Sequence, residues 1–500
     1  MARHFPFAIG LLLLIPFSLA ADVTLPSLLT PHMVLQREVP LHIWGMASPG
    51  EMVSVSFLGE TQMVEADDLG CWSVYLKPAE AGGPFSLTVQ GLNRVVLEDV
   101  WVGDVWVAAG QSNMEWALKE TEGAREEIAA ARYPRIRFFR VKKNTAAYPL
   151  EDVSPASWEL CSPEKASNFS AVAYHFGKQI FETQKIPLGF IDASWGGTPL
   201  VSFTSLDAIS RDASLMPVFS HWSQMAGEQA VTLLRLEKER KEFEETAAKA
   251  KAEGKQPPSR PWHPDFEAWA PAAIYNGMIA PLTRFPIRGA IWYQGESDAS
   301  PERAPIYSRL FQTMIRDWRR AWRVGDFPFF FVQLANWVAG PENAWPELRE
   351  AQRQALALRN TGMAVTLDVG APKDIHPRDK RSVGLRLALA ARVIAYGEKI
   401  EYSGPLFRQT TLEGQTLRVW FDQVGGGLAT KGGETLKGFE IAGANGKFEK
   451  AEARIEGATV VVSHPAIAAP RWVRYGWADN PEVNLYNQAD LPASPFSSKE

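Results

Sequence analysis

Five strongly apolar runs constrain this chain more than anything else in it. They read "DVWVAAG", "PLGFIDASWGG", "IRGAIWYQGES", "FPFFFVQLANW" and "GMAVTLDVG". Each is short, and most end in Gly, Ser, Asn or Asp. Strands covered on both faces of a parallel sheet have this composition, because neither face meets water. Stretches with helical spacing lie between them, notably "APIYSRLFQTMIRDWRRAW" and "WPELREAQRQALALR". The alternation predicts an α/β sandwich around a parallel sheet. In such folds ligands bind outside the carboxyl ends of the strands, so the polar residues ending these runs are where chemistry is expected.

The rest of the 500 residues divides around that core. Residues 1–20 carry Arg3, a leucine-rich apolar run from Phe5 to Phe17, and Ser18-Leu19-Ala20. That is the signature of a signal peptide, and the run is too short to span a bilayer comfortably. A soluble exported protein is expected, periplasmic or secreted, with no membrane span. Residues 21–100 read as a small β domain of short strands separated by Gly and Pro signals. Residues 101–402 hold the α/β core. It is interrupted at about 205–270 by an insertion, whose "LLRLEKERKEFEETAAKAKAEGK" predicts an exposed helix followed by a Pro-rich loop. Residues 403–470 return to β-like runs, and 471–500 form a tail expected to pack on the catalytic domain. A net charge of -5 with no basic stripe argues against nucleic acid as a partner. Cys71 and Cys161 form no metal motif, and their spacing leaves pairing open.

In "AAGQSNMEW", Ser112 follows a strand and a glycine and opens a helix. A serine there is exposed beside unpaired backbone N–H groups, which suits either a helix N-cap or a nucleophile with an oxyanion hole. Ser194 in "DASWGG" is a rival. Neither sits in a complete G-x-S-x-G elbow. A serine nucleophile needs a base. Of eight histidines, His376 stands in a polar loop between a strand and a helix, two residues after Asp374. An acid that near can orient an imidazole, with Asp368 as the other candidate. Gly196 or Gly197 could offer oxyanion N–H groups, and Gln294 a side-chain amide. Glu296 and Asp298 invite a glycosidase reading, since strand alternation would put them on one face. A non-catalytic carbohydrate-binding protein is a third possibility.

"GQSNMEW", "SWGGTPL", "WYQGESD" and "DIHPRDK", in that order, resemble the sialate O-acetylesterase family of the SGNH hydrolase superfamily. The opening "LPSLLTPHMVLQREVPLHIWGMASPG" and the closing "WADNPEVNLYNQADLPASPF" resemble it too. The resemblance implies a flavodoxin-like SGNH three-layer sandwich with N-terminal and C-terminal β-sandwich-like modules. It implies a serine esterase that removes acetyl groups from sugars without a metal or other cofactor. By position, Ser112 matches the nucleophile, His376 the base and Asp374 the acid, in the family's Asp-x-His spacing rather than the superfamily's commoner Asp-x-x-His. Gly196 is the preferred oxyanion donor with Gly197 next. Gln294 stands where the superfamily has Asn. Asn113 and Glu296 are expected to contact substrate or position site groups. Arg378 or Lys380 could meet a sialic acid carboxylate. Trp116, Trp195, Trp292 and Trp337 are candidates for stacking on a sugar ring.

Overall fold

The structure, a computed structural model, describes residues 22–258, 263–433 and 435–499. The leader expected at 1–20 lies outside the described residues. Among the described residues, thirteen strands lead up to the C-terminal unit. They are β1 (Val34–Gln36), β2 (Leu41–Met46), β3 (Met52–Phe57), β4 (Glu60–Glu65), β5 (Cys71–Leu76), β6 (Gly82–Gln90), β7 (Arg94–Gly110), β8 (Tyr133–Arg140), β9 (Glu159–Cys161), β10 (Leu188–Ser194), β11 (Gly289–Tyr293), β12 (Phe329–Val332) and β13 (Thr361–Ala364).

The central sheet runs β13-β12-β11-β7-β10-β8-β9. Its first six strands are mutually parallel, and β9 closes one edge antiparallel to β8. The five apolar runs supply β7, β10, β11, β12 and β13, and nearly all their residues are buried. β7 is unusually long, at 17 residues. Its first half pairs with β6 and β1, and its second half with β10 and β11. One continuous strand therefore joins the N-terminal β unit to the α/β core and runs straight through the expected boundary at 100/101.

Trp106, Trp292, Trp318 and Phe329 to Phe331 fill the core with no exposed surface. Each such side chain contributes about 2–3 kcal/mol by leaving water. The helices Ala171–Gln184 and Lys380–Ile394 pack against each other. A Cβ on Gly384 would lie 2.7 Å from His175 Cβ, so glycine permits the close approach. His175 itself is buried there, and burial pushes its imidazole down to about 4, consistent with a packing role.

The helix Gln229–Ala252 has no buried residue and carries i,i+4 pairs such as Arg240–Glu244 and Lys241–Glu237. It is a solvated charged helix, stabilised by a few tenths of a kcal/mol per pair, roughly. Among the described residues, no helix is long and apolar enough to cross a membrane.

The C-terminal unit consists of small antiparallel sheets around Val419, Ile441, Val460, Val473 and Phe496. Tyr475, Leu485 and Phe496 come from the tail. The tail thus completes this β core as well as touching the α/β core, where only the second contact was expected. Arg349 makes the junction. Fully buried, it donates to the carbonyls of Leu334 and Ala335 on one side and Ala478 and Asp479 on the other. Carbonyl oxygens satisfy the guanidinium, yet burial still lowers its pKa to about 9. Cys71 is exposed, Cys161 is buried, and both are free thiols.

Candidate active site

Register decides which loops meet. Gly110 lies level with Ser194 on one side and Tyr293 on the other. The segments that follow, 111–116, 195–198 and 294–298, therefore leave the sheet at one edge. Gly110 has φ 131°, and a Cβ there would fall 2.2 Å from the Tyr293 carbonyl oxygen. Only glycine lets the chain turn at that point. Ser112 then opens the one-turn helix Ser112–Glu115. Its side chain caps nothing; the N-cap position is Gln111, without a side-chain cap bond. The cap reading of Ser112 gives way to a partly exposed hydroxyl.

That hydroxyl lies 2.9 Å from His376 Nε2. The His376 loop is shaped by Asp374, whose Oδ1 accepts the His376 backbone N–H at 2.9 Å. The same Oδ1 is 3.8 Å from His376 Nδ1, and the Asp374 side chain is 47% exposed. Asp374 therefore holds the loop more firmly than it holds the ring. Asp368 is engaged elsewhere, in a two-pronged pair with Arg386. The Trp116 ring stacks on the imidazole with centroids 4.5 Å apart and planes 19° from parallel. Burial, reinforced by Lys380 and opposed by Asp374, lowers the His376 pKa below 6.5. The ring is thus neutral at neutral pH, as a general base must be.

Behind this pair lies a buried polar network. Asn113 Nδ2 donates to Glu296 Oε1 and, at 3.0 Å, to the Ile375 carbonyl next to His376. Lys380 Nζ donates to Asn113 Oδ1. Lys380 is fully buried under the rings of Tyr293 and Trp116. Burial pushes its ammonium down to about 7, and burial pushes the Glu296 carboxyl up. Glu296 Oε2 has no hydrogen-bond partner among the described residues. Asn113 and Glu296 therefore tie the serine loop to the histidine loop. Lys380 cannot meet a substrate carboxylate, which corrects that expectation. Arg378, by contrast, is exposed.

Four further expectations change. Gln294 is fully buried, and its Nε2 donates to the Thr198 carbonyl and to Asp298 Oδ2 at 2.6 Å. Its Oε1 accepts from the Tyr307 hydroxyl. With both N–H groups committed, it is not an oxyanion donor in this arrangement. Glu296 and Asp298 lie in a helical turn after Gly295 rather than on a strand, and Asp298 is buried against the Leu200 N–H. They do not flank an open cleft as glycosidase carboxylates do. Trp292 has no exposed surface and stacks on no sugar. Ser194 donates to Asp192 at 2.5 Å, inside a buried pair, and no histidine bonds it among the described residues.

Gly196 does lie against Ser112: a Cβ on it would come within 3.2 Å of Ser112 Cβ. Its N–H currently donates to Glu115 Oε2 at 2.7 Å, while Glu115 Oε1 pairs with Lys143 at 2.7 Å. Gly197 has φ 75° and accepts from Trp269 Nε1 through its carbonyl. Sequence reasoning missed Glu115 entirely. Its place beside the nucleophile was visible, but its partners, Gly196 and Lys143, come from other segments.

Comparison with known proteins finds carbohydrate acetylesterases. The family model described as carbohydrate esterase, sialic acid-specific acetylesterase matches residues 260–395, which include His376 but not Ser112. The sialate O-acetylesterase of Mus musculus is 31% identical over 452 residues, covering 81% of this chain and 80% of the mouse protein. That of Homo sapiens is 29% identical over 421 residues, covering 76% and 72%. A crystal structure of a carbohydrate acetylesterase from Xanthomonas citri is 38% identical, with a TM-score of 0.83 over 96% of this chain and all of that one. On the mouse relative's identity and coverage, this chain belongs to the sialate O-acetylesterase family.

Proposed function

We propose that this protein is a serine esterase that removes O-acetyl groups from carbohydrates, with Ser112 as nucleophile. The observation that carries the reading is the 2.9 Å contact between Ser112 Oγ and His376 Nε2 at the carboxyl edge of the sheet. The family's activity supports it. Neutral His376 takes the Ser112 proton as the oxygen attacks the acetyl carbonyl. It then gives that proton to the departing sugar hydroxyl. Water, activated by the same imidazole, releases acetate. The parallel sheet and its flanking helices are read as the flavodoxin-like SGNH sandwich, and the leader as an export signal.

The oxyanion is held by the backbone N–H groups of Ser112 and Gly196. The Ser112 N–H has no backbone acceptor among the described residues. The Gly196 N–H becomes free when the acetyl oxygen displaces Glu115. One such donor is typically worth about 3 kcal/mol of transition-state stabilisation. Glu115→Ala should therefore raise kcat/KM on p-nitrophenyl acetate several-fold, measured by steady-state assay. A tenfold loss would instead make Glu115 a required part of the site.

Asp374 assists weakly. Where a buried acid bonds its histidine directly, removal costs about 10⁴-fold. Here the acid is half exposed and 3.8 Å from the ring. Asp374→Asn is expected to lower kcat by only about 2- to 5-fold, and a 10⁴-fold loss would show that the ring swings onto Asp374 during turnover. The substrate class is tested by acetate release across acetylated sialosides, xylo-oligosaccharides and acetylated monosaccharides. Release without chain cleavage supports the proposal; new reducing ends from unacetylated oligosaccharide would favour a glycosidase instead.

A further inference from the structure

A cavity lies at the other end of the sheet. β2 and β5 pair as a two-stranded ribbon, with His42 opposite Tyr75, Trp44 opposite Ser73 and Met46 opposite Cys71. Alternation puts these six side chains on one face. The Tyr75 and His42 rings stack with centroids 4.4 Å apart and planes 7° from parallel, and His42 stacks in turn on Trp44 at 4.8 Å. Tyr75 is nonetheless 63% exposed, so His42 covers one part of its ring and leaves the rest to solvent.

This face lines a cavity of about 1090 Å³ whose other walls include Arg284, Pro286, Trp322 and Arg323. These residues precede β11 and β12. In a parallel sheet that is the amino-terminal edge, opposite the edge that carries Ser112. The cavity and the Ser112–His376 site are therefore separate.

The acidic groups of the wall are already partnered, and the exposed Arg323 is a donor suited to hydroxyls. Asp67 accepts the Leu69 and Cys71 N–H groups, Asp152 accepts Ser27, and Glu151 pairs with Arg284 at 2.8 Å. The carboxylates are thus committed to backbone N–H groups, to Ser27 or to Arg284. His42, 6% exposed, bonds the Arg284 carbonyl through Nδ1 at 2.9 Å, and its Nε2 is buried without a partner among the described residues, so the ring serves the wall as a stacking surface beneath Tyr75. A concave wall of aromatic area with a few placed polar groups is the usual form of a small-molecule site, and this volume has room for several sugar rings. The C–H faces of a pyranose stack on aromatic rings, and its hydroxyls both donate and accept.

We infer that the cleft between the β2–β5 ribbon and the amino-terminal edge of the central sheet binds a neutral glycan chain, with Tyr75 as its platform. The choice of a glycan rests on the carbohydrate substrate class proposed above; the existence of the site does not rest on Ser112.

Native affinity electrophoresis tests it, with unacetylated xyloglucan, xylan or hydroxyethylcellulose in the gel. The wild-type protein should be retarded by at least one of the three. Tyr75→Ala should weaken that retention about tenfold, Tyr75→Phe should keep it, and both should hydrolyse p-nitrophenyl acetate at the wild-type rate. Trp116→Ala, altered beside His376, should still be retained. Retention of Tyr75→Ala equal to wild type would overturn the proposal. So would loss of retention in Trp116→Ala, which would place the glycan at the catalytic edge. A wild-type protein that deacetylates sugars yet is retarded by none of the three polymers would also overturn it, while leaving the esterase reading intact.

Discussion

Ser112→Ala is expected to lower kcat on p-nitrophenyl acetate by about 10⁴-fold or more, because losing a nucleophile leaves only binding and the oxyanion hole to act. The variant should fold normally. Ser112 is partly exposed, caps no helix and contributes no core packing. Its hydroxyl's described partner is His376. Circular dichroism and thermal unfolding should therefore match wild type within the error of an ordinary surface change, about 0.5 kcal/mol. A folded variant with unchanged turnover would remove Ser112 from the mechanism.

The second large effect concerns Lys380. Lys380→Met removes a buried cation that bonds Asn113 and lies in the field of Glu296. Two consequences follow. Stability should fall by about 3 kcal/mol in chemical denaturation, the scale on which losing one partner of a buried ionic network is felt. Adding Glu296→Gln should recover part of that loss, because the stranded carboxylate goes with it. The second consequence is a pH shift. Turnover needs neutral His376, so kcat/KM rises with pH through the His376 pKa, which burial and Lys380 hold below 6.5. Removing the positive charge of Lys380 raises that pKa, and the acid limb of the profile should move to higher pH. An unmoved limb in a folded variant would mean that Lys380 is structural only.

The sequence displayed the strands of the core plainly, because a strand buried on both faces must be apolar throughout. It displayed Ser112 and His376 for a related reason: polar residues at the ends of such strands have few roles. Other features were hidden because they depend on contacts between distant segments. Gln294 looked like a donor from its position, but its amide is consumed by Thr198 and Asp298, which only the packed structure brings together. Lys380 looked like a cation free to meet a substrate carboxylate. Burial of the first turn of its helix under Tyr293 and Trp116 turned it inward. Glu296 and Asp298 looked like strand neighbours, and the turn at Gly295 removed the alternation that linked them. The continuity of β7 was unreadable for a different reason. Its first half is partly exposed and its second half fully buried, as in two different strands, and both belong to one because each half pairs with a different set of neighbours.

The central claim, that Ser112 is the nucleophile of an acyl-enzyme mechanism, is tested most directly by labelling the active protein with a serine-reactive organophosphonate and mapping the adduct by peptide mass spectrometry. The predicted result is a single adduct on Ser112, formed in step with loss of acetate release. An adduct on Ser194, or full inactivation with Ser112 unmodified, would contradict it.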